Sequence, residues 1–252
     1  MFGATLSVVV KRRDAVEGEA ARSLAGRGEP RTSANQSRSL AAWEIASVAA
    51  SALIAEWAVI AAVGFGNVWH AVPVGLAFAL MIYSHRLRGE TLREIGWNVS
   101  EFWPALRLLI VPMLACALVV ALVGWFWLGG TLRVGGNRAG WAVLGFPVWG
   151  LAWGLLQQYV LQGFVNRRAQ ILFGRGWQSV LLTASVFALL HLPNPWLTAA
   201  TFAGGLLWAW VYQRAPNLFA LALSHAAMTW VLVSALPDSA LRGLRVGFKY
   251  FN

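Results

Sequence analysis

Three glutamines in one apolar stretch are the first residues in this chain whose types and spacing suggest chemistry. Gln157, Gln158 and Gln162 lie within residues 149–166, where nearly every other side chain is apolar or small. A glutamine in hydrocarbon is unfavourable unless its amide finds hydrogen-bond partners. Three amides within six residues therefore indicate a buried polar site or a contact between helices.

Two histidines in later apolar segments are candidates to face these amides. His225 and Thr229 are four residues apart and share a helix face, as do Gln158 and Gln162. A histidine can serve as a base near neutral pH, because its pKa is easily tuned. Metal binding fits poorly, since zinc takes three or four histidine, cysteine or carboxylate ligands. We therefore predict no metal and no cofactor.

The composition predicts an all-α polytopic membrane protein that must position these residues. Of 252 residues, 58% are hydrophobic and 12% are charged, and the 15 tryptophans and 25 glycines are typical of membrane helices. Because lipid offers no partners to backbone groups, every span should be helical. The predicted bundle has about seven transmembrane helices, which cover residues 40–63, 68–83, 106–128, 141–166, 177–191, 195–212 and 217–236.

The net charge is +10, and the basic residues lie between the apolar segments. Their distribution predicts an orientation in the lipid bilayer, and we predict no nucleic-acid partner. With the amino terminus inside, fifteen basic residues face the cytoplasm and five face outward, as the positive-inside rule requires. Outside the spans we predict a disordered basic cytoplasmic tail over 1–39, an interfacial amphipathic segment over 84–107 and a carboxyl-terminal tail over 237–252. The remaining regions are an N-terminal membrane region, 40–139, and a core, 140–236.

Three short patterns in this core resemble the CPBP family, also called Abi, which contains CAAX prenyl proteases and bacteriocin-processing enzymes. The family pattern is EExxxR, then FxxxH, then HxxxN, on successive membrane helices. Here the segments read QQYVLQ (157–162), FALLH (187–191) and HAAMT (225–229). The resemblance implies a CPBP-like core, a bacterial inner membrane, and a membrane-embedded, hydrophobic or lipidated peptide as the ligand.

The departures from the family pattern concern its acid chemistry. Glutamines replace both glutamates and the arginine, and a threonine replaces the last asparagine. In the family a glutamate is thought to act as general base on a water, while the histidines and asparagine position that water and stabilise the oxyanion. An amide has no useful basic pKa, although it still forms hydrogen bonds. The resemblance implies that the site comprises Gln157, Gln158, Gln162, His191, His225 and Thr229.

Several functions fit these residues. The first is a pseudoprotease, which binds a peptide without cutting it, because no acidic residue lies between Glu101 and Asp238. The second is an active atypical intramembrane peptidase, with His191 or His225 as base and the amides as oxyanion donors. In the third, the amides only join helices. A membrane scaffold that partners another membrane protein, or a transporter, also remains, although no inverted repeat supports transport.

The sequence leaves two questions about geometry open. Glu56 lies deep in the first span and is a functional candidate. It is either protonated or hydrogen-bonded to a neighbouring helix, or it supplies the missing acid if the first span packs beside the fourth. The predicted spans also place the glutamines near the cytoplasmic side and His191 near the outer side. The order of the patterns nevertheless predicts one shared site.

Overall fold

The computed structural model describes residues 31–64, 66–129 and 145–252, and all regular structure within these ranges is helical, as predicted. The chain divides into two compact units, Met1–Leu40 and Ala41–Asn252, and the site lies in the second. The predicted tail over residues 1–30 lies outside the described residues. So do the loop over 130–140 and the first residues of the predicted fourth span.

The helices of the described ranges are labelled α1 to α9 in chain order. Two of them contain a π-helical segment, Ile54–Val59 in α1 and Tyr159–Asn166 in α5. Short 3₁₀ turns occur at Val68–His70, Arg242–Leu244 and Gly247–Phe251. The helices are α1 (31–63), α2 (Ala71–Leu87), α3 (Leu92–Ile95), α4 (Phe102–Trp127), α5 (145–173), α6 (Trp177–Leu189), α7 (Pro195–Tyr212), α8 (Leu218–Ala235) and α9 (Asp238–Leu241).

The seven longer helices correspond in position to the seven predicted spans. Four of the described segments are long and apolar enough to cross a membrane: Asn35–Val63, Val68–Leu87, Phe102–Trp127 and Leu218–Ala235. Membrane crossing by α5 and α7 stays a prediction. The 13 residues of α6 rise only about 20 Å, less than the ~30 Å hydrocarbon core. Membrane crossing by α6 therefore also stays a prediction.

Small residues bring the membrane helices into close contact. A Cβ added at Gly154 of α5 would lie 3.1 Å from Ala222 O of α8, and one at Gly150 would lie 3.8 Å from Ala226 Cβ. These two glycines thus let α8 approach α5, as their four-residue spacing predicts. The contact between α4 and α8 is closer still, because a Cβ at Gly124 would meet a backbone carbonyl of α8 at 2.1 Å.

Residues 84–107, predicted as an interfacial amphipathic segment, contact the rest of the bundle through α3 and the residue that follows it. A capping box starts α3, in which Thr91 Oγ1 accepts from Glu94 N at 3.3 Å and the Glu94 carboxylate accepts from Thr91 N at 2.8 Å. Ile95 is buried, and Gly96 O accepts from Leu218 N at the start of α8. This part of the segment therefore anchors the start of α8.

The helix α1 begins earlier than predicted. Residues 31–39, predicted as part of a disordered tail, are helical. A helix that is already nucleated in an apolar span extends at little cost, because each added residue gains a hydrogen bond without a new nucleus. The predicted boundary near Leu40 is therefore wrong by nine residues.

Candidate active site

A π-helical segment of α5 determines where the glutamines point. Gln158 is the last residue before it, and Gln162 lies inside it. The wider π turn changes the direction of the side chains that follow Gln158. Gln158 and Gln162 are fully buried, whereas Gln157 is partly exposed. The predicted inward face of this helix is confirmed for two of its three amides.

Gln158 contacts His225 directly. Its Nε2 lies 3.1 Å from His225 Nδ1, and both side chains are buried between α5 and α8. As placed, the amide donates to the ring, so His225 is neutral with its proton on Nε2. Trp208 stacks on the same ring at a centroid distance of 4.6 Å, and its Nε1 donates to Ser224 Oγ. The orientation of His225 is thus defined by an amide and an aromatic plane.

Phe187 brings the second histidine to the first. Its ring lies 4.7 Å from the His191 ring and 5.9 Å from the His225 ring, both edge to face. His191 Nδ1 lies 2.7 Å from Phe187 O. A carbonyl only accepts, so Nδ1 carries the proton and Nε2 keeps its lone pair. The Phe187 ring thus contacts both histidine rings.

Gln162 belongs to an amide network that runs away from the histidines. Its Oε1 accepts from Asn166 Nδ2 at 2.8 Å, and Asn166 Oδ1 accepts from Gln170 and Gln213. Gln213 also donates to Ser179 Oγ at 2.8 Å. This network joins α5, α6 and α7. No local pattern in the sequence marks this network, because its members come from three separate segments.

The other two predicted site residues, Gln157 and Thr229, take a smaller part in the contacts of the site. Within the described residues, Gln157 and Thr229 form no hydrogen bond to either histidine, and both are partly exposed. Two buried polar atoms close to the site, Gln158 Oε1 and Gln162 Nε2, also lack a hydrogen-bond partner in the described part of the chain. The structure thus joins Gln158 and His225 directly and adds His191 through Phe187. Sequence reasoning did not single out Trp208, which no pattern marks.

Glu56 does not reach the glutamines. Its carboxylate oxygens lie 3.3 Å from His70 Nε2 and 3.6 Å from Lys249 Nζ. These partners come from the start of α2 and from the carboxyl-terminal segment. Glu56 is therefore paired with basic groups, and it does not supply an acid to Gln158 or His225.

A buried ionic cluster occupies the far end of α5 instead. Arg168 is fully buried, with Nε 2.9 Å from Glu44 Oε2 and Nη2 2.9 Å from Glu90 Oε2. Ser84 Oγ accepts from Arg168 and donates to Glu44 Oε1 at 2.6 Å. Arg167 adds a second ion pair to Glu90 at 2.7 Å. The cluster lies ten residues after Gln158, about 15 Å along the helix, and is separate from the histidines.

The charge state of Glu90 follows from its surroundings. Burial by itself would raise the pKa of Glu90, but hydrogen bonds from His85 and Arg168, with the charges of Arg168 and Arg167, hold that pKa well below its usual range. Glu90 is therefore ionised at neutral pH. The basic pair at the end of QQYVLQGFVNRR, Arg167 and Arg168, thus joins α5 to α1, to the end of α2 and to the loop that follows α2.

An apolar groove of about 440 Å³ lies beside His191. One wall is formed by the π-helical part of α1 and the residue that precedes it. The other wall is formed by Leu189, two residues before His191, and Leu192, the residue after it. The lining residues are Leu53, Ile54, Trp57, Ala58, Leu189 and Leu192. All six lining residues are apolar.

Comparison with known proteins agrees with this arrangement. Residues 138–231 match the family model described as Type II CAAX prenyl endopeptidase Rce1-like. No curated protein and no solved structure matches the chain. The matched region contains the three short patterns and the helices that carry Gln158, His191 and His225. The match therefore covers most of the predicted core, where it agrees with the resemblance of the three short patterns to the CPBP (Abi) family of CAAX-protease-like membrane proteins.

Proposed function

We propose that this protein is a pseudoprotease that binds a membrane-anchored or lipidated peptide in the CPBP core without cleaving it. The observation that carries the proposal is the hydrogen bond from Gln158 Nε2 to His225 Nδ1 at 3.1 Å. A carboxylate at position 158 could accept a proton from water, but an amide cannot. Within the described residues, no carboxylate forms an ion pair with His191 or His225.

The amides retain the ability to bind a peptide. Gln158 Oε1 is an acceptor and Gln162 Nε2 is a donor, and both are buried without a partner in the described part of the chain. A peptide group has one N–H donor and one C=O acceptor. Each unsatisfied buried group costs about 1–3 kcal/mol. A ligand whose backbone satisfies both atoms therefore recovers part of that cost.

The apolar groove supports a lipid-modified ligand. Its walls flank His191, and its six lining residues are all apolar. The family description names a prenyl endopeptidase, so a prenyl chain is the hydrophobic group that we propose for the groove. The distribution of arginines supports a cytoplasmic amino terminus, and the family resemblance supports a bacterial inner membrane as the setting. The ligand could also be the tail of a partner membrane protein.

The test measures capture and cleavage in one experiment. The full-length protein in lipid nanodiscs is incubated with a prenylated CAAX-type peptide that carries a photoreactive group and a label at each end. We expect saturable photocrosslinking to the protein, while mass spectrometry finds only intact peptide. Cleavage that is lost in His191→Ala would overturn the pseudoprotease proposal. If the peptide is not captured, the proposed function is wrong and the amides only join helices.

A matched pair of variants isolates the role of the buried amide. Gln158→Leu removes the contact with His225 and should weaken capture about tenfold, the change expected when roughly 1.4 kcal/mol is lost. Gln178→Leu changes an exposed glutamine on α6 and should leave capture unchanged. Melting curves of both variants show whether the bundle is intact. Equal loss of capture in both variants would contradict the proposed site.

One observation favours a second function, an atypical peptidase. The His191 ring is fixed by Phe187 O through Nδ1, so its Nε2 lone pair is available, and the side chain is partly exposed beside the groove. Such a histidine can act as a general base. In this case the labelled peptide is cleaved, the rate rises with pH as the imidazole deprotonates, and His191→Ala abolishes it.

A further inference from the structure

The carboxyl-terminal residues 238–251 form a strap across the end of the apolar groove, and they contact both of its walls. On the α1 side, Lys249 Nζ lies 3.6 Å from Glu56 Oε2, and the Phe251 ring lies 6.2 Å from the Trp57 ring. Trp57 is itself a lining residue of the groove. The strap is therefore attached to the wall that the π-helical part of α1 provides.

The strap is attached to the opposite wall through the residues that follow His191. Gly247 N donates to Leu192 O at 2.8 Å. The buried Asn194 side chain donates to Leu241 O at 2.8 Å and to Arg245 O at 3.3 Å. Leu192 is also a lining residue and is adjacent to His191. The strap thus also holds the loop that follows His191.

Gly247 is the point where the two walls meet. Its N–H bonds to Leu192, while an added Cβ would lie 2.6 Å from Glu56 O and 2.9 Å from Glu56 Cβ. Its φ of 57° also lies in the left-handed region that favours glycine. Any side chain here would push the strap away from α1. The contact between the strap and α1 is therefore close, and it requires glycine at position 247.

We propose that the strap sets the width of the groove and gates the entry of a hydrophobic chain toward His191. The strap bonds both to α1 and to the loop at 192–194, so it holds the two walls of the groove at a fixed separation. Glu56 is then a positioning residue, because its carboxylate and its backbone hold the strap. The gating role rests on the proposed function, whereas the mechanical coupling of the two walls does not.

The first experiment tests the coupling without any ligand. Gly247→Ala introduces the collision with Glu56, and Gly243→Ala is the matched control, since its φ of 64° is similar but its Cβ would meet nothing within 4 Å. Hydrogen exchange of the full-length protein in nanodiscs is measured for residues 54–58 and 190–194. We expect Gly247→Ala to speed exchange in both stretches at least about fivefold relative to Gly243→Ala, as for a coupling between sites. Equal exchange in the two variants overturns the proposal.

The second experiment tests gating with the photoreactive prenylated peptide. In a Cys116→Ser background, Trp57→Cys and Phe251→Cys are joined by a short reducible cross-linker. We expect the cross-linked strap to slow capture at least about fivefold, and reduction to restore it. Glu56→Lys and Lys249→Glu should each speed capture, and the double variant should return it toward the original rate. Unchanged capture in all of these forms overturns the gate.

The two experiments separate this inference from the proposed function. If no form of the protein captures the peptide, the proposed function and the gate both fail, while hydrogen exchange still decides whether the strap couples the walls. If capture occurs and is the same with the strap cross-linked or free, the proposed function stands and the gate fails.

Discussion

Gln158 Nε2 lies 3.1 Å from His225 Nδ1, so the first and third family patterns meet through an amide that donates to an imidazole. In an acid–histidine pair the direction is reversed, because a carboxylate only accepts. The replacement therefore changes which atom of His225 carries its proton. It keeps the contact between α5 and α8 and removes the group that could take a proton from water.

Restoring the family pattern should create a peptidase. The variant with Gln157→Glu, Gln158→Glu, Gln162→Arg and Thr229→Asn regains two carboxylates and their counterion. We expect cleavage of the labelled prenylated peptide to rise at least about 10²-fold, the usual contribution of a general base. Mass spectrometry of the products gives the rate. The same variant with His191→Ala should stay inactive, and a folded but inactive four-residue variant would show that more than the acids has been lost.

The hydrogen bond between Gln158 and His225 should appear as a coupling energy. Gln158→Leu and His225→Phe, alone and together, form a double-mutant cycle, and phenylalanine can still stack on Trp208. We expect a coupling of about 0.5–1.5 kcal/mol in the free energy of unfolding in detergent. Gln178→Leu combined with His225→Phe should be additive, because Gln178 is exposed. A coupling near zero in the first cycle would contradict the contact.

Removal of Arg168 should destabilise the bundle strongly. Arg168→Met removes the cation that the buried Glu44 and the half-buried Glu90 share, so that Glu44 keeps only Arg88 and Glu90 keeps Arg167 and His85. Breaking a buried pair costs up to about 3–5 kcal/mol. Arg86→Met, at an exposed position of α2, should change stability by no more than about 0.5 kcal/mol. Unfolding in detergent measures both. Adding Glu44→Gln and Glu90→Gln to Arg168→Met should recover much of the loss, and no recovery would argue against uncompensated charge as its cause.

The ion pairs of Glu90 should make stability fall in acid. Its pKa in the folded state lies below the ordinary value of 4.5, so the ionised form is favoured by folding. This contribution is complete above about pH 4.5 and is lost as pH falls below that value toward the folded pKa. Melting temperatures between pH 7 and pH 3 should drop more for the unmodified protein than for Glu90→Gln.

A second carboxylate variant provides the control for this pH dependence. Glu101 lies at the start of α4, and its carboxylate forms no ion pair in the described part of the chain. Glu101→Gln should therefore keep the steep loss of stability in acid. If Glu90→Gln and Glu101→Gln behave alike between pH 7 and pH 3, the ionic cluster does not control this dependence.

The local patterns in the sequence were sufficient for the fold class and for part of the site. Apolar segments of about membrane length predict helices, because backbone groups in lipid have no other partners. Gln158 and His225 were both identified from their types and spacing. The four-residue spacing of Gly150 and Gly154 predicts a closely packed neighbouring helix, and only the structure identifies that helix as α8. Each of these inferences uses only residues within one helix or one repeated pattern.

What the sequence by itself determined is therefore the all-helical membrane class, the three patterns and their missing acids. Tertiary structure decided which polar groups meet. Glu56 pairs with His70 and Lys249 instead of Gln158, and Gln162 joins an amide network instead of the histidines. The burial of Arg168 against Glu44 and Glu90, which lie 124 and 78 residues earlier, has no local signal. The physical reason is that such contacts depend on how helices pack and where a π turn redirects side chains, and neither follows from spacing along one segment.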